Sequence, residues 1–215
     1  MASLPVAHTT LDFLRHGEPV GGRRYRGQID DPLSAKGWAQ MRAATAEVAT
    51  EVATHVRPWS AVVSSPLARC RAFAEWLAAA AGLPLSVDER LREAGFGVWE
   101  GKTAEELKAI DADCVFEFKR DPIGRRPEGA EPLDGFYART TAAYEDVLAR
   151  HGGAHVLVVT HAGVIRMLIC HALGLPPALA YRINVASAGM ARIKVEIKDA
   201  RRLDTLLWLG QGPAA

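Results

Sequence analysis

Cysteine is scarce in this sequence, with three residues among 215 and no CxxC spacing. Cys70, Cys114 and Cys170 are odd in number and far apart, which argues against a disulfide framework or a zinc knuckle and predicts reduced thiols. The sequence also has no apolar run of about 18 residues, the length that a membrane span needs. Residues 1–10 lack a basic segment followed by a long apolar run, so we expect no secretory signal, no membrane partner and a cytoplasmic location.

A surplus of charge of one sign is also missing, because 26 basic residues stand against 25 acidic ones. A chain with a formal net charge of +1 has no overall attraction to nucleic acid, so nucleic acid is not expected as a partner. Selectivity for an anion must come from local clustering of basic side chains. Hydrophobic residues make up 49% of the chain, enough to bury one substantial core, and we expect a single domain over residues 1–215.

Short apolar runs alternate with segments of helical periodicity three times along the chain. Runs at 11–14, 60–64 and 156–159 are typical of buried strands, and two later strands are predicted at 192–197 and 205–208. Strands that alternate with helices imply a mainly parallel sheet covered on both faces. The predicted fold class is therefore α/β, a three-layer sandwich with a mainly parallel central sheet and helices on both faces.

Capping residues predict where the helices begin. The expected caps are Ser34 for a helix over 35–54 with Trp38, Met41, Ala44 and Val48 in the core, Ser65 with Pro66 for a helix to about Ala81, a capping box of Thr103 and Glu106, and Asp134 for a helix ending near 151–153. Residues 121–132 are predicted to form a loop. This loop belongs to a lid or insertion expected around 100–135.

Three predicted strands end at side chains that suit an anion. Arg15 and His16 follow the first strand, Arg69 lies shortly after the second, and His161 follows the last. Ligands of open α/β sheets bind beyond the carboxyl ends of the strands. Each residue alone is more often a solvated arginine or a structural histidine, but two guanidiniums and two imidazoles together predict a phosphate site. Arginines oppose a bound cation, so neither a metal nor another cofactor is expected.

Four segments resemble, in order, signature motifs of the histidine phosphatase superfamily, which includes the cofactor-dependent phosphoglycerate mutases. They are LRHGE at 14–18, DPLSAKG at 31–37, SSPLARC at 64–70 and THAG at 160–163. An isolated RHG is a weak signal, whereas four motifs in register are specific. The resemblance implies that His16 is the nucleophile, that Arg15 and Arg69 bind phosphoryl oxygens, and that His161 faces the nucleophile across the phosphate. Burial and the neighbouring guanidiniums should keep His16 uncharged.

A fifth segment, LREAGFGVWEG at 91–101, resembles the family's L-x-E-x-x-x-G-x-W-E-G motif. The resemblance implies that Glu93 protonates the leaving alkoxide and then takes a proton from the attacking water. From the residues alone, a surface salt bridge with Arg90 or Arg92 is the more ordinary role. Glu18 and Glu100 are expected to orient arginine or histidine side chains.

Substrate contacts are expected where the family's substrate loop falls and in the last motif. The residues assigned to substrate binding are Arg26, Gly27, Gln28 and Gly163. The PVGG segment at 19–22 departs from the family pattern, in which Thr or Ser and then Asn follow RHG. This departure argues against a phosphoglycerate mutase and favours a phosphatase branch.

Segments 11–18, 26–33 and 37–41 most resemble alpha-ribazole phosphatases of cobalamin nucleotide-loop assembly, and segments 118–122 and 127–132 resemble their lid region. This resemblance implies a metal-independent phosphomonoesterase that forms phosphohistidine and acts on alpha-ribazole 5'-phosphate. A mutase-type phosphotransferase, a broad sugar or nucleotide phosphatase and a phosphate-sensing scaffold domain without activity are the open alternatives. The oligomeric state is open as well, a homodimer included.

Overall fold

The structure, a computed structural model, describes residues 8–50 and 58–210. The last part of the helix predicted over 35–54, the side chain of Val48 and most of segment 1–10 lie outside the described part. Six strands form one sheet: β1 (His8–Arg15), β2 (Ala61–Ser64), β3 (Leu85–Val87), β4 (His155–Thr160), β5 (Met190–Lys198) and β6 (Arg201–Gly210). The helices are α1 (Ala35–Thr50), α2 (Ala68–Ala81), α3 (Ala104–Ile110), α4 (Cys114–Arg120), α5 (Leu133–Arg150) and α6 (Ala162–Ala172).

The strand order in the sheet is β3-β2-β4-β1-β5-β6. The first four strands in that order are parallel, while β5 and β6 run antiparallel to their neighbours. The prediction of a mainly parallel sheet is therefore confirmed. Strand β3 was not predicted, because its three residues directly after Pro84 are too short for a periodic pattern.

Two hydrophobic clusters lie on opposite faces of this sheet. Val156 and Val158 of β4 pack into the cluster that contains α5 and α6, whereas Leu157 and Val159 pack into the cluster that contains α2 and the start of α1. Successive side chains of a strand point to opposite faces, so one buried strand contributes to both clusters. Helices on both faces confirm the three-layer architecture. None of the helices in the described ranges is long and apolar enough to cross a bilayer.

The register of β1 and β4 brings the two histidine motifs together. Arg15 lies opposite Thr160, and the strands are parallel neighbours in the middle of the sheet. The backbone N–H of His16 donates to the carbonyl oxygen of Thr160 over 3.0 Å, which continues the ladder by one residue. His16 and His161 therefore occupy adjacent positions just beyond the strand ends.

Two of the predicted helix caps are confirmed and two are wrong. Ser34 Oγ accepts from the N–H of Gly37 at 3.0 Å, and Thr103 forms its capping box. Ser65 does not cap α2, which begins at Ala68. Asp134 lies within the first turn of α5, and Pro132 occupies the capping position.

In both wrong caps, hydrogen bonds with other partners explain the difference. At the start of α2 the N–H of Ala68 donates to Oδ1 of Asp30 over 2.6 Å, so a distant carboxylate satisfies this group. The Asp134 carboxylate accepts from the N–H of its neighbour Gly135 instead. Helix α4 was not predicted, and Asp113 at its N-cap makes no side-chain cap.

Candidate active site

The imidazoles of His16 and His161 lie side by side, with ring centroids 5.2 Å apart and ring planes at 62°. Both side chains are buried, with 6% and 0% of their surface exposed. Nδ1 of His16 lies 2.7 Å from the carbonyl oxygen of Gly17. A carbonyl only accepts, so Nδ1 carries the proton and the neutral ring has its lone pair on Nε2. That lone pair is what a nucleophilic histidine requires.

The loop after His16 is fixed by a close backbone approach. A Cβ atom on Gly17 would overlap the backbone of Gly37, in the first turn of α1. The backbone N–H and hydroxyl of Ser34 also donate to the carbonyl oxygen of Glu18, at 3.0 and 2.8 Å. These contacts hold the Gly17 carbonyl in place and therefore the orientation of the His16 ring.

Two guanidiniums lie near the nucleophile, that of the half-buried Arg15 and that of the buried Arg69. Arg15 Nη1 donates to the carbonyl oxygen of Val185 at 2.7 Å, and Arg69 donates to the carbonyl oxygens of Ile29 and Gly27 at 2.7 and 2.9 Å. Each Nε is buried without a hydrogen-bond partner in the part of the chain that the structure describes. The partners of both guanidiniums are neutral carbonyl groups, which do not neutralise a positive charge. Both charges can therefore attract an anion.

Burial and these arginines set the charge states in the site. Burial, followed by the charges of Arg15 and Arg69, holds the pKa of His16 well below its usual 6.5. The pKa of His161 is lowered in the same way, by burial and then by Arg69. Burial and the charge of Arg166 lower the pKa of Arg15 to about 10. At neutral pH both imidazoles are uncharged and both flanking arginines are positive.

The carboxylate of Glu93 is held at the edge of this group by backbone donors. Its Oε1 accepts from the N–H of Ala94 at 3.0 Å and its Oε2 from the N–H of Gly163 at 3.2 Å. Arg139 fixes the backbone of this segment, because it pairs with Glu131 and donates to the carbonyl of Glu93. A hydrogen-bonded and fixed carboxylate is suited to proton transfer.

The salt bridge that the residues alone favoured for Glu93 does not form. Arg90 pairs with Asp88 and Asp146, and Arg92 pairs with Glu89. Both basic neighbours therefore have other partners, and the Glu93 carboxylate is left to line the cavity above His16.

The residues predicted to bind substrate divide into two groups. Arg26, 6% exposed, lines the cavity with Gly27, and its Nε donates to Asp31 at 2.8 Å. Gln28 and Gly163 are not in the lining. The Gln28 amide donates to the carbonyl oxygen of Glu93 over 2.5 Å, so Gln28 and Gly163 both contact the proposed acid instead.

The two carboxylates that were expected to support the site, those of Glu18 and Glu100, have different partners. Glu100 Oε1 accepts from the N–H groups of Gln28 and Phe96, at 3.1 and 2.9 Å. Glu18 pairs with Lys36 at 2.9 Å. The expectation that Glu18 and Glu100 orient arginine or histidine side chains is therefore not met by these bonds. Glu100 instead connects the substrate loop to the segment that follows Glu93.

The cavity above His16 has a volume of about 740 Å³ and is strongly basic. Three acidic side chains line it, namely Glu18, Glu93 and Glu105. Eight basic side chains line it, namely Arg15, Arg23, Arg24, Arg26, Arg69, Lys108, Lys119 and Arg166. Because the net charge of the chain is close to zero, selectivity for an anion was expected to come from a local cluster of basic side chains, and this cavity contains such a cluster.

Several lining residues were missed from the sequence. Arg166 could have been found, because it lies four residues after Ala162 on α6 and so shares its face with another lining residue. No sequence pattern marks Tyr181, which lies in a 3₁₀ turn over Pro177–Arg182. The same holds for the loop at 184–187. Ser65 was assigned to a cap, yet its Oγ lies 2.7 Å from Nε2 of His161.

The described residues contain no group of three or more histidine, cysteine or acidic side chains placed to hold a metal ion.

A sequence model of the histidine phosphatase superfamily (branch 1) matches residues 11–205. Among curated proteins, the chain is 34% identical over 185 residues to the bifunctional protein Rv2228c of Mycobacterium tuberculosis, a match that covers 85% of the chain. It spans about half of that relative, 49% of its length. It is 31% identical over 205 residues to a probable phosphoglycerate mutase GpmB of Shigella boydii serotype 4, covering 93% of the chain and 87% of the relative.

Two solved structures share the fold. The mycobacterial glucosyl-3-phosphoglycerate phosphatase Rv2419c in complex with VO3 superposes with a TM-score of 0.80 at 27% identity, covering 93% of this chain and 97% of that one. The alpha-ribazole phosphatase of Shigella flexneri gives a TM-score of 0.73 at 24% identity, covering 96% and 98%. The second likeness is one of fold alone.

Proposed function

The chain belongs to branch 1 of the histidine phosphatase superfamily, whose phosphatases act on small phosphate esters, and from this premise we propose a metal-independent phosphomonoesterase that forms phosphohistidine on His16. The observation that carries the proposal is the tautomer of His16. Its Nδ1 proton is bound by the Gly17 carbonyl, so the lone pair of the neutral ring is on Nε2, in a residue that lines the same cavity as Arg15 and Arg69. A neutral imidazole beside two fixed cations suits attack on a phosphate dianion.

In the first step, Nε2 of His16 attacks phosphorus and the bond from phosphorus to the alcohol oxygen breaks. Arg15 and Arg69 bind the phosphoryl oxygens, whose charge is spread in the in-line transition state. Glu93 gives its proton to the departing alkoxide, so that a neutral alcohol leaves. Phosphohistidine remains, next to the Glu93 carboxylate.

In the second step, water attacks the same phosphorus atom. Glu93 takes a proton from this water, the bond between phosphorus and Nε2 breaks, and inorganic phosphate leaves. His16 is neutral again and Glu93 is protonated again, so the cycle closes without a metal. His161 lies beside His16, and we propose that it stabilises the charge on the phosphoryl oxygens in both steps.

We propose alpha-ribazole 5'-phosphate as the substrate, because the sequence resembles those of alpha-ribazole phosphatases. The name of one solved relative, a glucosyl-3-phosphoglycerate phosphatase, adds phosphorylated glycerates to the candidates. Helices α3 and α4 contribute Lys108 and Lys119 to the cavity, which supports the proposal that residues 100–135 form a lid over the leaving group. A homodimer and a cytoplasmic location stay predictions.

The reaction is tested with p-nitrophenyl phosphate in EDTA, comparing the native chain with His16→Ala. We expect hydrolysis to resist EDTA and to fall by about 1000-fold or more in the variant, because no group replaces the nucleophile. The matched control is His8→Ala, an exposed histidine at the other end of β1. Rapid quenching should trap an acid-labile, alkali-stable phosphoryl group only when His16 is present. Hydrolysis that survives in His16→Ala, or that EDTA abolishes, contradicts the proposal.

Substrate and mutase alternatives are separated by turnover of alpha-ribazole 5'-phosphate, 3-phosphoglycerate, fructose phosphates and nucleoside monophosphates. A preference for the first compound supports the cobalamin assignment. Equal and slow rates on all of them leave only a broad phosphatase. Conversion of 3-phosphoglycerate into 2-phosphoglycerate, faster than release of inorganic phosphate, identifies a mutase.

A further inference from the structure

One arginine binds most of the short segment that ends at the proposed acid. Arg139 of α5 donates to three carbonyl oxygens of this segment, at 2.6, 2.8 and 3.1 Å, those of Arg90, Arg92 and Glu93. Its other two N–H groups donate to the carboxylate of Glu131, at 2.7 and 2.8 Å. Each of the five N–H groups of this guanidinium therefore has an acceptor, which is the full donor capacity of an arginine.

Glu131 fixes the backbone on the other side of Glu93. Its Oε2 accepts from the N–H of Gly95 at 3.3 Å, and its own N–H donates to the carbonyl oxygen of Gly95 at 3.0 Å. The chain is therefore bound before Glu93 by Arg139 and after it by Glu131. A backbone fixed on both sides leaves the Glu93 side chain only its own rotamers, and the N–H of Gly163 binds one of them.

The pair of Arg139 and Glu131 is itself held in place. The guanidinium lies 4.7 Å from the ring centroid of the buried Phe136, about one turn earlier on α5. Only 22% of the Arg139 side chain and 25% of the Glu131 side chain is exposed, so water competes little for their hydrogen bonds. Both residues are outside the lining of the cavity above His16, so a substrate in that cavity does not contact them. Any effect of the pair on the reaction must pass through Glu93.

Resting on the proposed phosphatase function, in which Glu93 is the acid, we propose that Arg139 and Glu131 are positioning residues for the Glu93 carboxylate. They govern the two events in which Glu93 moves a proton, the protonation of the departing alkoxide and the deprotonation of the attacking water. The attack of His16 on phosphorus does not depend on them. Proton transfer is sensitive to such positioning, because the two heavy atoms must come within hydrogen-bond distance.

The direct test compares two leaving groups in Arg139→Gln by rapid quenching. Transfer of phosphate from glycerol 3-phosphate to His16 needs a proton from Glu93, so it should slow by about tenfold to 100-fold. Release of p-nitrophenol from p-nitrophenyl phosphate needs no such proton, and its burst phase should slow by less than about threefold. Equal slowing with both leaving groups indicates general damage to the site and overturns the proposal.

A double-mutant cycle shows whether Arg139 acts through Glu93. With glycerol 3-phosphate, Arg139→Gln should cause less than about a twofold further loss in a chain that already carries Glu93→Gln, because the group to be positioned is absent. Losses that multiply in the double variant overturn the proposal, since they assign Arg139 an effect that is independent of the acid.

Further variants separate geometry from charge. Arg139→Lys keeps the positive charge but lacks the planar fork that reaches three carbonyls and a carboxylate at once, so it should lose as much as Arg139→Gln. Native rates in the lysine variant overturn the proposal. Glu131→Gln leaves the guanidinium in place and should show the same dependence on the leaving group, with a loss of about threefold to tenfold, which decides the question if Arg139→Gln does not fold. Arg71→Gln is the matched control, because it removes the same charge from an exposed pair with Glu75, and it should keep native rates.

Amide NMR tests the positioning without any turnover. The N–H of Gly163 donates to the Glu93 carboxylate, so its proton resonance should move upfield in Glu93→Ala, where this bond is lost. Arg139→Gln should move the same resonance in the same direction. A resonance at its native position overturns the positioning role and leaves the phosphatase proposal intact. If no ester is turned over, the phosphatase proposal fails, and the Gly163 resonance alone decides whether Arg139 positions the carboxylate.

Discussion

The backbone N–H of Gly163 donates to Oε2 of Glu93, which ties the proposed general acid to the first turn of the helix that follows His161. One short segment therefore positions both the second imidazole and the carboxylate. The approach is close, because a Cβ atom on Gly163 would overlap Oε1 of Glu93 and lie 3.2 Å from Phe136 Cζ. A side chain at 163 cannot coexist with the observed carboxylate position.

Gly163→Ala should therefore lower kcat by about tenfold to 100-fold on alkyl phosphates, because the added methyl group displaces the Glu93 carboxylate from its place beside the imidazoles. Stopped-flow and steady-state kinetics with glycerol 3-phosphate measure the loss. Gly135→Ala is the matched control, since an added Cβ on this α5 glycine meets no atom within 4 Å. The control should keep full activity and gain about 0.5–1 kcal/mol of stability. Equal activity in both variants contradicts the positional role of Gly163.

Glu93→Gln should separate substrates by the basicity of their leaving groups. The amide cannot donate a carboxylic proton, so phosphorylation of His16 by an alkyl ester should slow by about 100-fold or more. Release of p-nitrophenol needs no proton, so the burst phase with p-nitrophenyl phosphate should be almost unchanged. The later hydrolysis of phosphohistidine should slow for every substrate. A burst that slows equally for both leaving groups would show that Glu93 is not the acid.

Ser65→Ala removes the hydroxyl that lies 2.7 Å from Nε2 of His161. We expect kcat to fall by about tenfold, because the ring loses the contact that fixes its orientation. Ser64→Ala is the control, since this serine is equally buried and its hydroxyl donates to the Ser65 carbonyl instead. Both variants should lose about 1 kcal/mol of stability, but only Ser65→Ala should lose activity. Matched activity losses would assign the effect to stability.

The two buried imidazoles predict how stability depends on pH. Their pKa values in the folded chain lie well below 6.5, the value of an unfolded histidine, so the unfolded state binds more protons as the pH falls. The stabilisation is complete above pH 6.5 and is lost on acidification, by about 1.4 kcal/mol per pH unit for each residue. Urea unfolding at pH 7.5 and 5.5 should show a smaller loss in His161→Asn than in the native chain. Equal losses contradict burial of a neutral His161.

The positions of Arg15, His16 and His161 could be predicted from the sequence, because each is marked by the short apolar run before it. Each of the three lies within two residues of the end of an apolar run, and the carboxyl ends of parallel strands lie at one edge of the sheet. The structure places Arg15, His16 and Arg69 in the lining of one cavity and His161 directly beside His16, while their catalytic roles stay predictions. The position of Glu93 could not be predicted in this way. Its neighbouring arginines favoured a surface salt bridge, and only the resemblance of segment 91–101 to a family motif assigned Glu93 to the site.

The remaining features depend on which distant elements pack together. Ser65 has the local pattern of a cap, but Asp30 from another loop accepts from the N–H at the start of α2, and the Ser65 hydroxyl contacts His161 instead. Gln28 lies in the expected substrate loop, yet its amide reaches the Glu93 backbone. Tyr181 belongs to a turn without periodicity. No pattern within a short window encodes these long-range contacts.

The pairing of Arg15 with Thr160 limits where this chain can change length. One residue inserted within β1 or β4 would leave the hydrophobic content intact but turn one imidazole toward the opposite layer of the sandwich. The exposed residues 123–125, which lie in a surface turn, carry no such restriction. Insertions and deletions among descendants of this sequence should therefore accumulate in such surface turns, so that the length of the chain can vary while the chemistry at phosphorus is inherited unchanged.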